Sequence, residues 1–272
     1  MCIGRMIPRT LSNNDSSPMK MLRIEKKDLS GFLDKLKDVY RLYGPVRQED
    51  MFSFVPIQDA SEIDVSFQNS LVSPKHMFLA QSERMFEYTL DPSKDDAHVL
   101  KEVQKDHSPR AVIGIRPCDA RAFRLVDVNF DTPEFQDPWW VRARDCTTLV
   151  GLGCTSPCST CFCTSAGGGP FDVDGLDVLL TDTGDAFLAK ILTEKGERLL
   201  ELGKVFEPAD EDLIQKASEL KQEAEDKLIS KVDTSRLADL NINDLYEAPF
   251  WESVHFACVN CGICTYLCPT CW

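Results

Sequence analysis

The sequence predicts an α/β (α+β) N-terminal domain over residues 22–247, followed by a short cysteine-rich C-terminal segment over residues 248–272. Three observations carry this reading. From residue 111 onward, short apolar runs of the kind that fill buried strands alternate with longer stretches of helical period. Hydrophobic residues make up 43% and charged residues 27% of the 272-residue chain, the balance of a globular protein with a sizeable core. Twelve cysteines fall mostly into two groups, four within residues 154–163 and five within 258–271, and the second group lies beyond the last helical pattern.

The elements follow in order. Residues 1–21 are polar, rich in Ser and Asn, and lack the apolar stretch of a secretory signal; they read as disordered, with Met19 or Met21 as alternative initiators. Residues 26–42 place Leu29, Phe32, Leu33, Leu36, Val39 and Tyr40 at helical spacing, and Gly44 and Pro45 of YGPV end that helix. Residues 51–90 read as strands and loops broken by Pro, Asp and Asn. AVIGI (111–115), LVGLGC (149–154) and DVLL (177–180) read as buried strands. Residues 185–202 are expected to be a helix with Phe187, Leu188, Ile191, Leu192, Leu199 and Leu200 on one side and Gly203 as its stop. Residues 210–230 form a second, charged helix along Leu213, Ala217, Leu220, Ala224 and Leu228. A third short helix covers 234–246, and EAPFWESV links it to the terminal cysteines.

Charge and composition narrow the function classes. A net charge of −14 argues against nucleic acid, whose phosphates need clustered Lys and Arg. No apolar run reaches the roughly 18 residues of a membrane span. Without a secretion signal the chain is expected to be cytoplasmic, where clustered cysteines read as metal ligands rather than disulfides.

The terminal stretch CVNCGICTYLCPTCW (258–272) has the spacing C-x2-C-x2-C-x3-C-P. Such a loop wraps Cys258, Cys261 and Cys264 around one iron–sulfur cluster, with Gly262 permitting the tight backbone, while Cys268, followed by Pro269, serves a second cluster. The segment therefore reads as an incomplete ferredoxin-like 4Fe-4S module, because its second cysteine run is missing. Cys271 does not supply the missing ligand, since the proline turn directs the chain away. Zinc on Cys258, Cys261, Cys268 and Cys271 is the alternative; its middle gap of six residues is short beside the roughly 15–20 of zinc ribbons.

The central constellation is GIRPCDARAF (114–123) with GLGCTSPCSTCFCTSAGGGP (151–170). Cys118 and Cys154 both follow a strand's carboxyl end, the edge where α/β sheets assemble sites. The CFC turn brings two more thiols, and Gly167, Gly168 and Gly169 let backbone amides approach a cluster. One reading is a cluster on Cys118, Cys154, Cys161 and Cys163, with Cys158 and Cys146 in reserve. The others are inert core cysteines and a redox dithiol at Cys158-x2-Cys161. Arg116 beside Cys118 either raises a cluster's potential or pairs with an acidic neighbour. His76, His98, His107 and His255 have no ligand spacing, and Trp139, Trp140 and Trp251 read as packing anchors. Neither a dinucleotide fingerprint nor a Ser-His-Asp arrangement is present, so no catalytic residue is assigned.

Taken in order, GIRPCDARAF, DPWWVRAR, GLGCTSPCSTCFCTSAGGGP, LTDTGD and CVNCGICTYLCPTC resemble the iron–sulfur beta subunit of cytoplasmic sulfhydrogenases (hydrogenase/sulfur reductase), and the A subunit of anaerobic sulfite reductase is similar. YGPV and SPK are weaker echoes of the same pattern. The resemblance implies an electron-transfer subunit of a multisubunit oxidoreductase, carrying up to two or three 4Fe-4S clusters in the full-length protein. It implies partners: a flavin/NAD(P)H-binding subunit, and a hydrogenase, sulfur/sulfite reductase or heterodisulfide reductase subunit. It leaves Cys118, Cys154, Cys161 and Cys163 as the matched central set, since relatives usually lack a cysteine at position 158. Relatives continue past CPTC to a second cysteine run, so the stop at Trp272 is expected to mark a partial gene or a recoded UGA codon. Two other classes stay open: a zinc- or thiol-based structural or regulatory module, and a site in which Cys161 or Cys163 attacks a sulfur compound.

Overall fold

In the computed structural model, residues 20–237 and 239–271 are described. The expected disorder over residues 1–21 lies outside them except for its last two, and Met21 already opens a strand. The elements run β1 (Met21–Glu25), α1 (Lys26–Leu36), β2 (Arg41–Gln48), β3 (Met51–Pro56), β4 (Phe86–Glu87), β5 (Lys101–Glu102), β6 (Arg110–Ile115), α2 (Pro117–Phe130), α3 (Pro138–Asp145), β7 (Thr147–Leu152), β8 (Val178–Asp182), β9 (Ala186–Ile191), α4 (Glu194–Gly203), β10 (Glu207–Pro208), α5 (Glu211–Asp226), α6 (Ile242–Tyr246), α7 (Phe250–His255) and α8 (Ile263–Leu267).

Eight strands form one mixed sheet in the order β10-β1-β9-β8-β7-β6-β2-β3. Its middle, β2-β6-β7-β8, is parallel; β1, β3, β9 and β10 join antiparallel at the flanks. The chain is therefore mixed α/β, with the expected strands at 111–115, 149–152 and 178–180 at the sheet's centre. They read clearly because strands buried on both faces are continuous apolar runs. Ala111, Val112, Ile113, Ile115, Leu149, Val150 and Val178 are all buried.

Three expectations are corrected. The helix expected over 26–42 stops at Leu36, and Arg41–Gln48, including Gly44 and Pro45, is a strand. Residues 41–43 pair parallel with β6 and bury Leu42 and Tyr43, a gain that outweighs the helical spacing of Val39 and Tyr40. The helix expected over 185–202 is a strand to Ile191 and a helix only from Glu194. A tight turn at Gly184 (φ +106°) folds residues 186–191 back onto β8, and Thr193 then caps α4 by accepting a hydrogen bond from the Gly196 amide. The third helix is only Ile242–Tyr246, while the expected linker EAPFWESV contains helix α7. The helix expected over 210–230 is α5, which ends at Asp226 with Ala217 and Ala224 buried, and Gly203 is the last residue of α4, whose left-handed cap is Lys204 (φ +51°) rather than the glycine.

Two glycines shape the sheet edge that carries the cysteines. Gly114 (φ +82°) sits in a register shift between Ile113 and Ile115 where β6 meets β7. Gly175 (φ +85°) passes so close to α2 that an added Cβ would stand 2.5 Å from the Ala120 carbonyl oxygen. Gly175→Ala is therefore expected to destabilise the fold by about 1–3 kcal/mol or more, read as a lower midpoint in chemical denaturation.

Candidate metal centre

Strands β6 and β7 lie side by side and parallel, with Ile115 opposite Gly151. Cys118 follows Ile115 by three residues and Cys154 follows Gly151 by three, so the pairing register delivers both thiols to the same sheet edge. Cys118 stands in the first turn of α2, opened by Pro117. Past Cys154 the chain loops out and closes on itself, the Cys154 amide donating to the Pro170 carbonyl at 2.9 Å. Within that loop Cys163 begins a single 3₁₀ turn over Cys163–Ala166, ended by Gly167 at φ +76°.

The structure brings the central cysteines together. Cys118 interacts electrostatically with Cys154 and Cys163, and Cys154 with Cys158, while Cys161 interacts with both Cys158 and Cys154. The Sγ atoms of Cys158 and Cys161 are 3.1 Å apart. Position 158, set aside by the resemblance, thus belongs to the group in space. Cys146 does not: it is buried at the opposite end of β7 from Cys154. Two of the three glycine amides are already used, because Gly167 donates to the Thr164 carbonyl and Gly168 to the Cys163 carbonyl within the turn.

Arg116 is a buried cation of the site. Arg116 is 7% exposed, and its guanidinium donates to four backbone carbonyls: Phe67, Gln68 (3.1 Å), Leu152 (3.2 Å) and Gly153 (2.9 Å). It lies over the Phe67 ring, 4.3 Å from the centroid. Burial pushes its pKa down; the Cys154, Cys118 and Cys161 thiols and the Asp119 carboxyl push back. Arg116 thus neither stands free nor ion-pairs on the surface: it places a positive charge under the thiols. Asp119 is fully buried and pushed up to about 6 by burial, held back by the Ser73 hydroxyl and Arg116.

The thiols differ from one another. Cys118 is reachable by solvent yet closely ringed by protein, which, with Asp119 and the neighbouring thiols, pushes it up to about 12. Burial also raises Cys154 and Cys163. Cys158 is pulled down to about 7 by hydrogen bonds from Thr160 and Cys161, while burial and its Cys158 contact raise Cys161 to about 11.

In the terminal segment Cys258, Cys261 and Cys264 are exposed; the first two lie on a loop bent by Asn260 (φ +54°) and Gly262 (φ +72°), and Cys264 lies in the first turn of α8. The proline turn does not carry Cys271 away, as the sequence suggested. Cys271 lies against Cys268 and within electrostatic reach of Cys264. His255 is bonded within its own helix, to the Trp251 carbonyl at 2.6 Å. Trp140 is a packing anchor with its indole N–H on Asp127 at 2.7 Å, but Trp251 is half exposed.

Sequence reasoning missed the segment 64–77. Gln68 ties the cysteine loop through the Ser156 carbonyl at 2.7 Å while its own carbonyl receives Arg116, and Lys75 reaches three carbonyls of the terminal segment. The SPK stretch was the only signal there. Among the described residues, no three His, Cys, Asp or Glu side chains are drawn together tightly enough to hold a single metal ion.

No family model matches the chain. It is 26% identical over 255 residues to the beta subunit of sulfhydrogenase 2 from Pyrococcus furiosus, an alignment covering 93% of this chain and 72% of that one. The chain is similar to a sulfhydrogenase beta subunit. The alignment's span takes in most of the α/β domain and its cysteine-bearing loops, rather than one short motif. Among the described residues no helix is long and apolar enough to cross a membrane.

Two predictions follow from this geometry. Among the five central cysteines of the metal-free chain, Cys158 is expected to alkylate first, its rate rising as pH passes through about 7, and Cys118 last, because its thiol stays protonated to about 12; mass mapping of labelled peptides reads the order. Arg116→Met strands buried carbonyls and is expected to cost on the order of 3 kcal/mol in denaturant unfolding.

Proposed function

We propose that this chain is an iron–sulfur electron-transfer subunit of a cytoplasmic, multisubunit oxidoreductase. It relays single electrons between a flavin/NAD(P)H subunit and a hydrogenase, sulfur/sulfite reductase or heterodisulfide reductase partner. The single observation that carries this is the gathering of Cys118, Cys154, Cys158, Cys161 and Cys163 at one edge of two parallel strands, over a buried guanidinium. The similarity to a sulfhydrogenase beta subunit supports the oxidoreductase reading.

The donor set fits a 4Fe-4S cluster chemically. It offers thiols only, since the sequence has no histidine between His107 and His255. A cubane spreads its four thiolates over separate irons, so it needs them gathered but not collapsed onto one point. Cys118, Cys154, Cys161 and Cys163 would hold the central cluster; Cys258, Cys261, Cys264 and Cys268 would serve the terminal ones. Such a cluster supplies one-electron redox chemistry at a potential set by surrounding charge, hydrogen bonds and burial. The chain's own part is positional. Strand register fixes Cys118 and Cys154, the closed loop presents Cys161 and Cys163, and Arg116 offsets negative charge that would otherwise be costly beside the core. Because burial raises all four of these thiols, loading the site must release protons, so assembly favours higher pH.

A docking role is supported by apolar side chains left exposed around the terminal segment: Ile242, Tyr246, Phe250, Phe256 and Val259 are 61–91% exposed. Anaerobic reconstitution with iron and sulfide is expected to give thiolate-to-iron absorbance and a reducible EPR signal. Cys118→Ser or Cys154→Ser should remove the central contribution. Purified protein that holds zinc, with no visible absorbance, would favour the structural thiol module instead.

A further inference from the structure

Lys75 lies in a single 3₁₀ turn, Pro74–Met77, far in sequence from the terminal cysteines. Its ammonium group nevertheless donates to three carbonyls of that segment: Thr265 at 2.8 Å, Cys268 at 2.7 Å and Cys271 at 3.0 Å. An ammonium has three N–H donors, and all three are used. Two of the carbonyls belong to the end of α8, where carbonyls lack helical partners and favour a cation. The third follows the Pro269 turn, so one side chain gathers both arms of the loop that presents Cys268 and Cys271.

The turn carrying Lys75 is itself anchored to the central site. Ser73, directly before it, is buried beside Asp119, the neighbour of Cys118 in α2. Phe78, directly after it, packs on Phe123 of α2 with ring centroids 4.9 Å apart and on Trp140 at 5.8 Å. The path from Cys118 to Cys268 thus runs through one rigid turn. A second tie runs in parallel, where the Val232 amide donates to the Ser165 hydroxyl (2.9 Å), laying the linker over the turn that holds Cys163.

The Lys75 charge also reaches one thiol of the loop, Cys271. Contact with Cys268 and burial raise the Cys271 thiol, and the Lys75 charge pulls it down. Burial opposes ionisation of Cys268, and hydrogen bonds from Thr270 and Cys271 overcome it, leaving that thiol below its ordinary value.

We propose that Lys75 is a positioning residue that docks the terminal cysteine loop onto the α/β body beside the central site. The docking stands on the hydrogen bonds and is independent of the iron–sulfur reading above. An ammonium held at three backbone oxygens cannot swing away as a surface lysine would.

The test compares Lys75→Met, which keeps the stem and removes the charge, with Lys75→Arg, which keeps the charge. Hydrogen–deuterium exchange on the metal-free full chain reads docking at the bonded amides of Tyr266, Cys268 and Cys271. Exchange several-fold faster in Lys75→Met, with unchanged exchange across β6 and β7, is the expected result; wild-type exchange there overturns the docking. Lys75→Arg, whose guanidinium can still donate to these carbonyls, is expected to exchange close to the wild-type rate; exchange as fast as in Lys75→Met overturns an anchor that depends on the charge.

Discussion

The guanidinium of Arg116 is the contact on which the cysteine edge depends. It reaches the carbonyls of Phe67 and Gln68 from one loop and of Leu152 and Gly153 from the end of β7, while its own backbone joins β6 to α2. Three separate stretches of chain are thereby fixed around a single buried charge. A buried cation without a carboxylate in contact is costly unless its hydrogen bonds are satisfied. Four carbonyls meet that requirement with dipoles rather than a carboxylate in direct contact, and the charge still reaches the Cys154 thiol, whose ionisation it favours.

Everything else at the edge follows from strand order. Parallel pairing of β6 and β7 aligns their carboxyl ends, so Cys118 and Cys154 emerge together although 36 residues separate Arg116 from Leu152. The loop after β7 then has to close, and it does so through the Cys154–Pro170 hydrogen bond and the left-handed Gly167. Lys75 extends the same logic to the terminal segment, using backbone carbonyls as anchors and leaving the cysteines free for ligation.

Much of this was legible in the residues. AVIGI and LVGLGC could only be buried strands, and cysteines just beyond them pointed to a shared edge. Gly262, read as permitting a tight backbone, takes a left-handed conformation (φ +72°). What was hidden depended on long-range pairing. Residues 39–42 and 186–191 carry apolar residues that suit a helix locally, and pairing with strands distant in sequence makes Arg41–Gln48 and Ala186–Ile191 strands. The roles of Gln68 and Lys75 were equally invisible, because both act on backbone carbonyls far away in sequence and such bonds leave no pattern in residue spacing. Cys146 and Cys158 look alike as reserves, yet the first lies at the wrong end of β7 and the second stands beside Cys161.

The central claim is that one edge of the α/β domain forms a complete thiolate site without help from the terminal segment. The most direct measurement is iron X-ray absorption on a reconstituted variant with Cys258, Cys261, Cys264, Cys268 and Cys271 all replaced by alanine. The account predicts bound iron with an all-sulfur coordination shell and short iron–iron scattering. Absence of bound iron, or iron ligated by nitrogen or oxygen, would contradict it.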